Sequence, residues 1–224
     1  MHNAILWLIM LICTYSILIT IYKFFGKKGL FVWVTSSVII ANIQVLKQLT
    51  IFGLNATLGN IIYSSSYIAT DILSEVYGLK TSKKAVYIGF LGFAIFALIT
   101  NVQLLFSKNH SDIYFESLQS IFSPMPFLLV ASIIAYIISQ LNDIYLYQYI
   151  KNKFPKYLFI RSNGSTLVSE LIYTTIFISI ATYFNIFPKE AYPNMMISTY
   201  VIKVAAGILG SLFIYFAISK SKKT

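Results

Sequence analysis

The chain has 224 residues and 25.4 kDa, of which 58% are hydrophobic, 17% aromatic and only 11% charged, with a mean hydropathy of +0.76. An ordinary soluble domain carries about 25% charged residues, so this composition excludes a soluble enzyme. The net charge of +10 would point to nucleic acid in a soluble protein, but the placement of the cations along the chain argues against nucleic acid here.

Seven apolar stretches cover roughly residues 3–25, 29–52, 56–77, 84–106, 124–150, 161–186 and 193–219. Each is long enough to cross a hydrocarbon layer of about 30 Å as a helix. The expected fold is therefore all-α: a polytopic transmembrane bundle of about seven helices, forming one domain over 1–224. The first stretch lacks a positive segment before it and is followed by basic residues, so it reads as a helix and not as a secretory signal. Cys13 lies within it and reads as a small packing residue, with no second cysteine for a disulfide.

In the second stretch, Ser37, Ala41, Gln44 and Gln48 align, with Lys47 beside them and Asn42 on a flanking face. The third is the most polar. Helical spacing places Asn60, Ser64, Tyr67, Asp71, Ser74, Glu75 and Gly78 on one stripe, with isoleucines on the other faces. Small and hydroxyl residues serve helix packing, but two carboxylates at i and i+4 repel each other and gain little from packing alone. The loop 107–123 reads as solvated, and Pro124 and Pro126 suit the start of the fifth helix. Tyr136, Gln140, Asp143 and Tyr147 share one face of that helix, and Asn163, Thr166, Glu170 and Thr174 share one face of the sixth.

Thirteen of the seventeen cations fall on alternate connections: Lys23, Lys27 and Lys28; Lys80, Lys83 and Lys84; Lys151, Lys153, Lys156 and Arg161; and Lys220, Lys222 and Lys223. The opposite connections carry only Lys108 and Lys189, accompanied by Asp112, Glu116 and Glu190. That asymmetry predicts an N-terminus outside and a C-terminus inside the cytoplasmic membrane, and assigns the basic charge to topology. His2 and His110 have no metal-ligand spacing, so neither a metal nor a cofactor is expected.

Lys47, Lys203, Asp71, Glu75, Asp143 and Glu170 fall within the stretches. Ionisable groups at such positions cost at least about 2.5–3.5 kcal/mol at a helix centre, so they face a polar interior and are functional candidates. By depth, Glu170 and Lys203 approach the middle from opposite directions and are expected to neutralise one another, whereas Glu75 is near enough to the inner surface to pair with Lys80, Lys83, Lys84 or Arg161.

Asp71-Ile72-Leu73-Ser74-Glu75-Val76-Tyr77-Gly78, followed by Lys80, Lys83, Lys84 and Ala85, is similar to a signature of the queuosine precursor transporter family, also called the vitamin uptake transporter family. Ala41-Asn42-Ile43 with Lys47, Gln140-Leu141-Asn142-Asp143, Arg161 with Ser165-Thr166, and Lys203 with Tyr200 resemble further elements of the pattern in the same order. The resemblance covers about residues 35–205, which suggests a six-helix core with the first helix peripheral. In one departure, Glu170 stands where the family has an amide and Tyr173 where it has an acid, with Thr174 retained.

The resemblance implies import of 7-deazaguanine precursors, such as 7-cyano- or 7-aminomethyl-7-deazaguanine or the free base queuine. A carboxylate suits the paired N–H donors of a guanine-like edge, amides suit its carbonyl, and aromatic faces suit its ring. Asp71 and Asp143 are the first candidates for the base edge, Gln140, Asn42 and Asn163 for supporting amides, and Tyr67 or Tyr136 for stacking. Glu170 or Glu75 would meet a cationic aminomethyl group, and Lys203, Glu170, Lys47 and Arg161 are candidates for ion pairing or coupling. No phosphate-cradling G-x-x-x-x-G-K-[ST] loop is present, so the chain is expected to be a secondary carrier. The alternatives are a substrate-binding subunit of an ATP-driven uptake system, or an intramembrane enzyme using Asp71 and Asp143 as a carboxylate pair. Coupling to protons and a homodimer are left open by the sequence.

Overall fold

The computed structural model describes residues 2–221. Its elements in chain order are α1 (His2–Gln44), β1 (Gln48–Ile51), β2 (Leu54–Thr57), α2 (Asn60–Val76), α3 (Leu79–Gln103), α4 (Phe115–Phe122), α5 (Met125–Lys153), α6 (Leu158–Tyr183), a 3-10 turn (Lys189–Ala191) and α7 (Tyr192–Ser221). Among the described residues, five helical segments are long and apolar enough to cross a membrane: His2–Gln44, Leu79–Gln103, Phe115–Lys153, Leu158–Tyr183 and Lys189–Ile214. Exposed Leu91, Ile95, Leu98 and Val102 run down the outer face of α3, the apolar surface that acyl chains require.

α1 is two helices in one run. Gly26 has φ 53° and ψ −133°, a conformation that only glycine reaches without strain, and the chain reverses there. The reversal is visible in its neighbours: Asn3 at the start of the first half donates to Thr50 O at 3.1 Å, just beyond the end of the second half. Trp7 meets Phe52 edge-on at 6.0 Å. Trp7, Leu11, Tyr15, Leu18 and Tyr22 bury one side of the first half, and the Tyr15 hydroxyl donates to Ala206 O of α7 at 3.0 Å. Cys13 lies on the opposite, exposed side, so it is not the packing residue expected.

The second and third apolar stretches do not run as helices to their expected ends. α1 stops at Gln44, and an antiparallel hairpin follows, pairing Gln48 with Thr57 and Ile51 with Leu54. Phe52 and Gly53 both take positive φ, 52° and 78°, the two-residue turn that matches strand twist. Lys47 consequently sits exposed between helix and strand, not inside a membrane helix. The apolar run hid the change because hydropathy does not distinguish a strand of Leu, Thr and Ile from a helix.

α2 is the hub. Residues 60–74 are buried on every face, with α1, α3, α5, α6 and α7 around them. Its isoleucines therefore pack against other helices and not against lipid, and the polar stripe expected from its sequence faces α5, α6 and α7. Pro124 caps α5 and Pro126 lies in its first turn, where a missing N–H is harmless. Of the C-terminal basic cluster, Lys222 and Lys223 lie outside the described residues.

Candidate functional site

Buried polar side chains form a column through the bundle. At the end where Gly26 approaches Tyr77, Glu75 closes the column. Its Oε1 accepts from Arg161 Nη2 at 2.8 Å, and its Oε2 lies 3.1 Å from Lys151 Nζ and accepts from the Tyr147 hydroxyl at 2.9 Å. Arg161 also donates through Nη1 to Pro155 O at 2.6 Å and through Nε to Tyr147 at 3.2 Å. One turn deeper, Ser162 donates a short hydrogen bond to Asp71 Oδ2.

The middle of the column is a seam between α2, α5 and α6. Gln140 donates to Ser66 at 2.8 Å and accepts from Thr70 at 3.2 Å, and the Tyr67 hydroxyl donates to Ser139 at 3.0 Å. Asp143 Oδ1 accepts a long bond of 3.4 Å from Thr166, Oδ2 has no hydrogen-bond partner among the described residues, and the Ser165 and Ser169 hydroxyls lie beside the carboxyl group. Asp71 and Asp143 are neighbours in the seam, as are Asp143 and Glu170.

Further toward the hairpin, Ser64 donates a short hydrogen bond to Glu170 Oε1, and Glu170 Oε2 is left without a partner. Lys203 feels the Glu170 charge but forms no ion pair with it. Its ammonium instead lies 3.7 Å from the centroid of the Tyr173 ring and 4.4 Å from that of Tyr63, a cation–π arrangement on two faces. The two rings are themselves 4.1 Å apart, and Phe177 stacks on Tyr173 at 5.4 Å. Above them lies a cavity walled by Asn42, Asn60, Tyr63, Tyr173, Thr199 and Lys203 and roofed by Phe187 and Met195. At about 20 Å³ it has room for one water.

Residues 57–217 match the family described as "Putative vitamin uptake transporter". The chain belongs to the vitamin uptake transporter family. It is 39% identical over 219 residues to the "Probable queuosine precursor transporter" of Bacillus subtilis (strain 168), covering 97% of this chain and 95% of that one. A protein of the same description from Haemophilus influenzae (strain ATCC 51907 / DSM 11121 / KW20 / Rd) is 24% identical over 160 residues, covering 70% of this chain and 66% of its own length. No solved structure matches.

In this vitamin uptake transporter the residues expected to form one site divide between cavity, seam and closed end. Asn42 and Lys203 reach the cavity wall. Asn42 donates to Val38 O at 2.8 Å and accepts a short bond from Ser132, which fixes its amide. Asp71, Asp143, Gln140, Tyr67 and Glu170 occupy the seam below. Tyr136 is buried against Gly89 with its hydroxyl unbonded. Asn163 turns toward α7, donating to Ser211 at 3.0 Å, and Glu75 and Arg161 hold each other at the far end. Lys47 is exposed at the hairpin. Sequence reasoning missed Tyr63 and Tyr173 as the aromatic pair. The available signal was Tyr173 standing at the family's acidic position, one turn beyond Glu170 and within reach of the lysine in α7.

Proposed function

We propose that this transporter carries queuosine precursors inward across the cytoplasmic membrane, binding a 7-deazaguanine between the cavity and the Asp143–Glu170 seam. The observation that carries the proposal is Lys203 Nζ, buried against the Tyr63–Tyr173 pair on the cavity wall with no hydrogen-bond partner among the described residues, next to a seam in which Glu170 Oε2 and Asp143 Oδ2 are also unpartnered. Buried charged atoms without partners are costly in a dry interior, and a flat heterocycle bearing both donors and acceptors would satisfy all three. The full-length likeness to a relative described as a queuosine precursor transporter supports the same ligand.

The chain works as a single domain of seven crossings, with the two halves of α1 counted separately and α2 as the short central span. The N-terminus and hairpin are outside and the Lys-rich connections inside, in keeping with their charge. The cavity then opens outward when Phe187 and Met195 withdraw, and the Glu75–Arg161–Lys151 cluster closes the inner end. The carboxylates Asp143 and Glu170, each with one unbonded oxygen, are where a co-transported proton binds.

Purified full-length protein in liposomes tests this directly. Radiolabelled 7-deazaguanine should accumulate chemically unchanged under an imposed proton gradient, and a protonophore should abolish accumulation. Chemical conversion of the label would identify an enzyme, and transport only with an added ATPase would identify a subunit of an ATP-driven system.

A further inference from the structure

We propose that Lys203 is the ligand-contacting donor of the outer cavity, and that it makes the transporter prefer 7-deazaguanines with a neutral, hydrogen-bond-accepting 7-substituent over those with a cationic aminomethyl group. The preference rests on the transport function proposed above and names its substrate class more narrowly.

Among the described residues the cavity wall contains Lys203 and no carboxylate. The lysine is 3% exposed, and its ammonium makes no hydrogen bond among the described residues. Ring faces at 3.7 and 4.4 Å stabilise the charge but accept its N–H groups poorly. A ligand carbonyl or nitrile reaching the ammonium would supply the missing acceptor, and charge-assisted hydrogen bonds of this type are the strong ones. A cationic substituent in the same cavity would meet the lysine and no carboxylate on the wall, since Glu170 lies off it.

The carboxylates that would welcome a cation lie off the cavity wall, and the free oxygens of Glu170 and Asp143 are those assigned above to the donor edge of the ring. Glu170 is behind Ser64, which donates to it. Asp71 is held by Ser162 and Asp143 by Thr166, both deeper in the seam. Glu75 is shared between Arg161 and Lys151. The tyrosine at 173 strengthens the bias, because an acid at that position would have neutralised the lysine.

The test is equilibrium binding to the full-length chain in lipid nanodiscs at neutral pH, with 7-cyano-7-deazaguanine and 7-aminomethyl-7-deazaguanine as probes. Wild type should bind the nitrile at least about tenfold more tightly, the size expected of one charge-assisted hydrogen bond. Lys203→Met should lose most of the nitrile affinity and bring the two probes within about threefold of each other, while Lys203→Arg keeps the preference. If Lys203→Met does not fold, the wild-type ratio and Lys203→Arg decide. Equal binding of both probes to wild type, tighter binding of the amine, or a ratio unchanged in Lys203→Met would overturn the proposal, the last meaning that the ammonium meets only water. Wild type binding neither probe would overturn the transport function itself, and the selectivity with it.

Discussion

Arg161 Nη2 lies 2.8 Å from Glu75 Oε1, joining the first turn of α6 to the last turn of α2 at the end of the polar column. The arginine side chain is 6% exposed, so truncating its partner strands a buried charge. Glu75→Ala should therefore lower stability by about 3 kcal/mol, and Glu75→Ala/Arg161→Ala should be less destabilised than the two single effects combined. Thermal unfolding in detergent reads both; strictly additive losses would show that the two residues do not stabilise the bundle as a pair.

Glu170 and Lys203 share an electrostatic field without touching, with Ser64 hydrogen-bonded to the carboxylate. Lys203→Met should destabilise the bundle, and adding Glu170→Gln should recover part of the loss, with a coupling of about 1 kcal/mol or more. A double-mutant cycle on the same melting assay decides it, and zero coupling would mean that the two residues act independently.

The reversal at Gly26, with φ 53° and ψ −133°, forbids a side chain without strain. Gly26→Ala should cost about 1–3 kcal/mol, whereas Gly164→Ala, in a helical backbone, should cost much less. Equal effects would argue that the chain does not turn back at Gly26.

A Cβ on Gly210 would come within 2.3 Å of the Tyr15 ring, which is fully buried. Gly210→Ala should overpack this contact by about 1–3 kcal/mol, and the smaller, more pliable side chain of Tyr15→Leu should relieve part of it. No relief in the double variant would mean that the first half of α1 does not seat on α7 there.

Topology is accessible through cysteine labelling, because the chain has a single cysteine, Cys13, which Cys13→Ser removes. A membrane-impermeant maleimide should label Lys47→Cys in intact cells and Lys84→Cys only after permeabilisation. The reverse pattern would invert the orientation proposed above.

The burial of much of the candidate site could be read in the sequence because burial on α5 and α6 follows a helical repeat. Tyr136, Gln140, Asp143 and Tyr147 are all buried, as are Asn163, Thr166, Glu170 and Thr174. Period alone could not say which of these face one cavity. Asn163 shares a face with Glu170 yet bonds to α7, and Glu75 shares a stripe with Asp71 yet is consumed by Arg161 and Lys151. Hydropathy likewise concealed the hairpin at 48–57, whose turn depends on two positive φ values and not on polarity.

Composition, the spacing of apolar runs and the asymmetry of lysines settled by themselves that this chain lives in a bilayer and that the acids deep inside its helices, Asp71, Asp143 and Glu170, point inward, since lipid offers those groups no solvation. Local motifs were enough to name the family. Which charges cancel and which stay unsatisfied was decided only when five elements closed around α2. Contacts such as Arg161 with Glu75, 86 positions apart, and Ser64 with Glu170, 106 positions apart, depend on three-dimensional packing that no periodicity encodes.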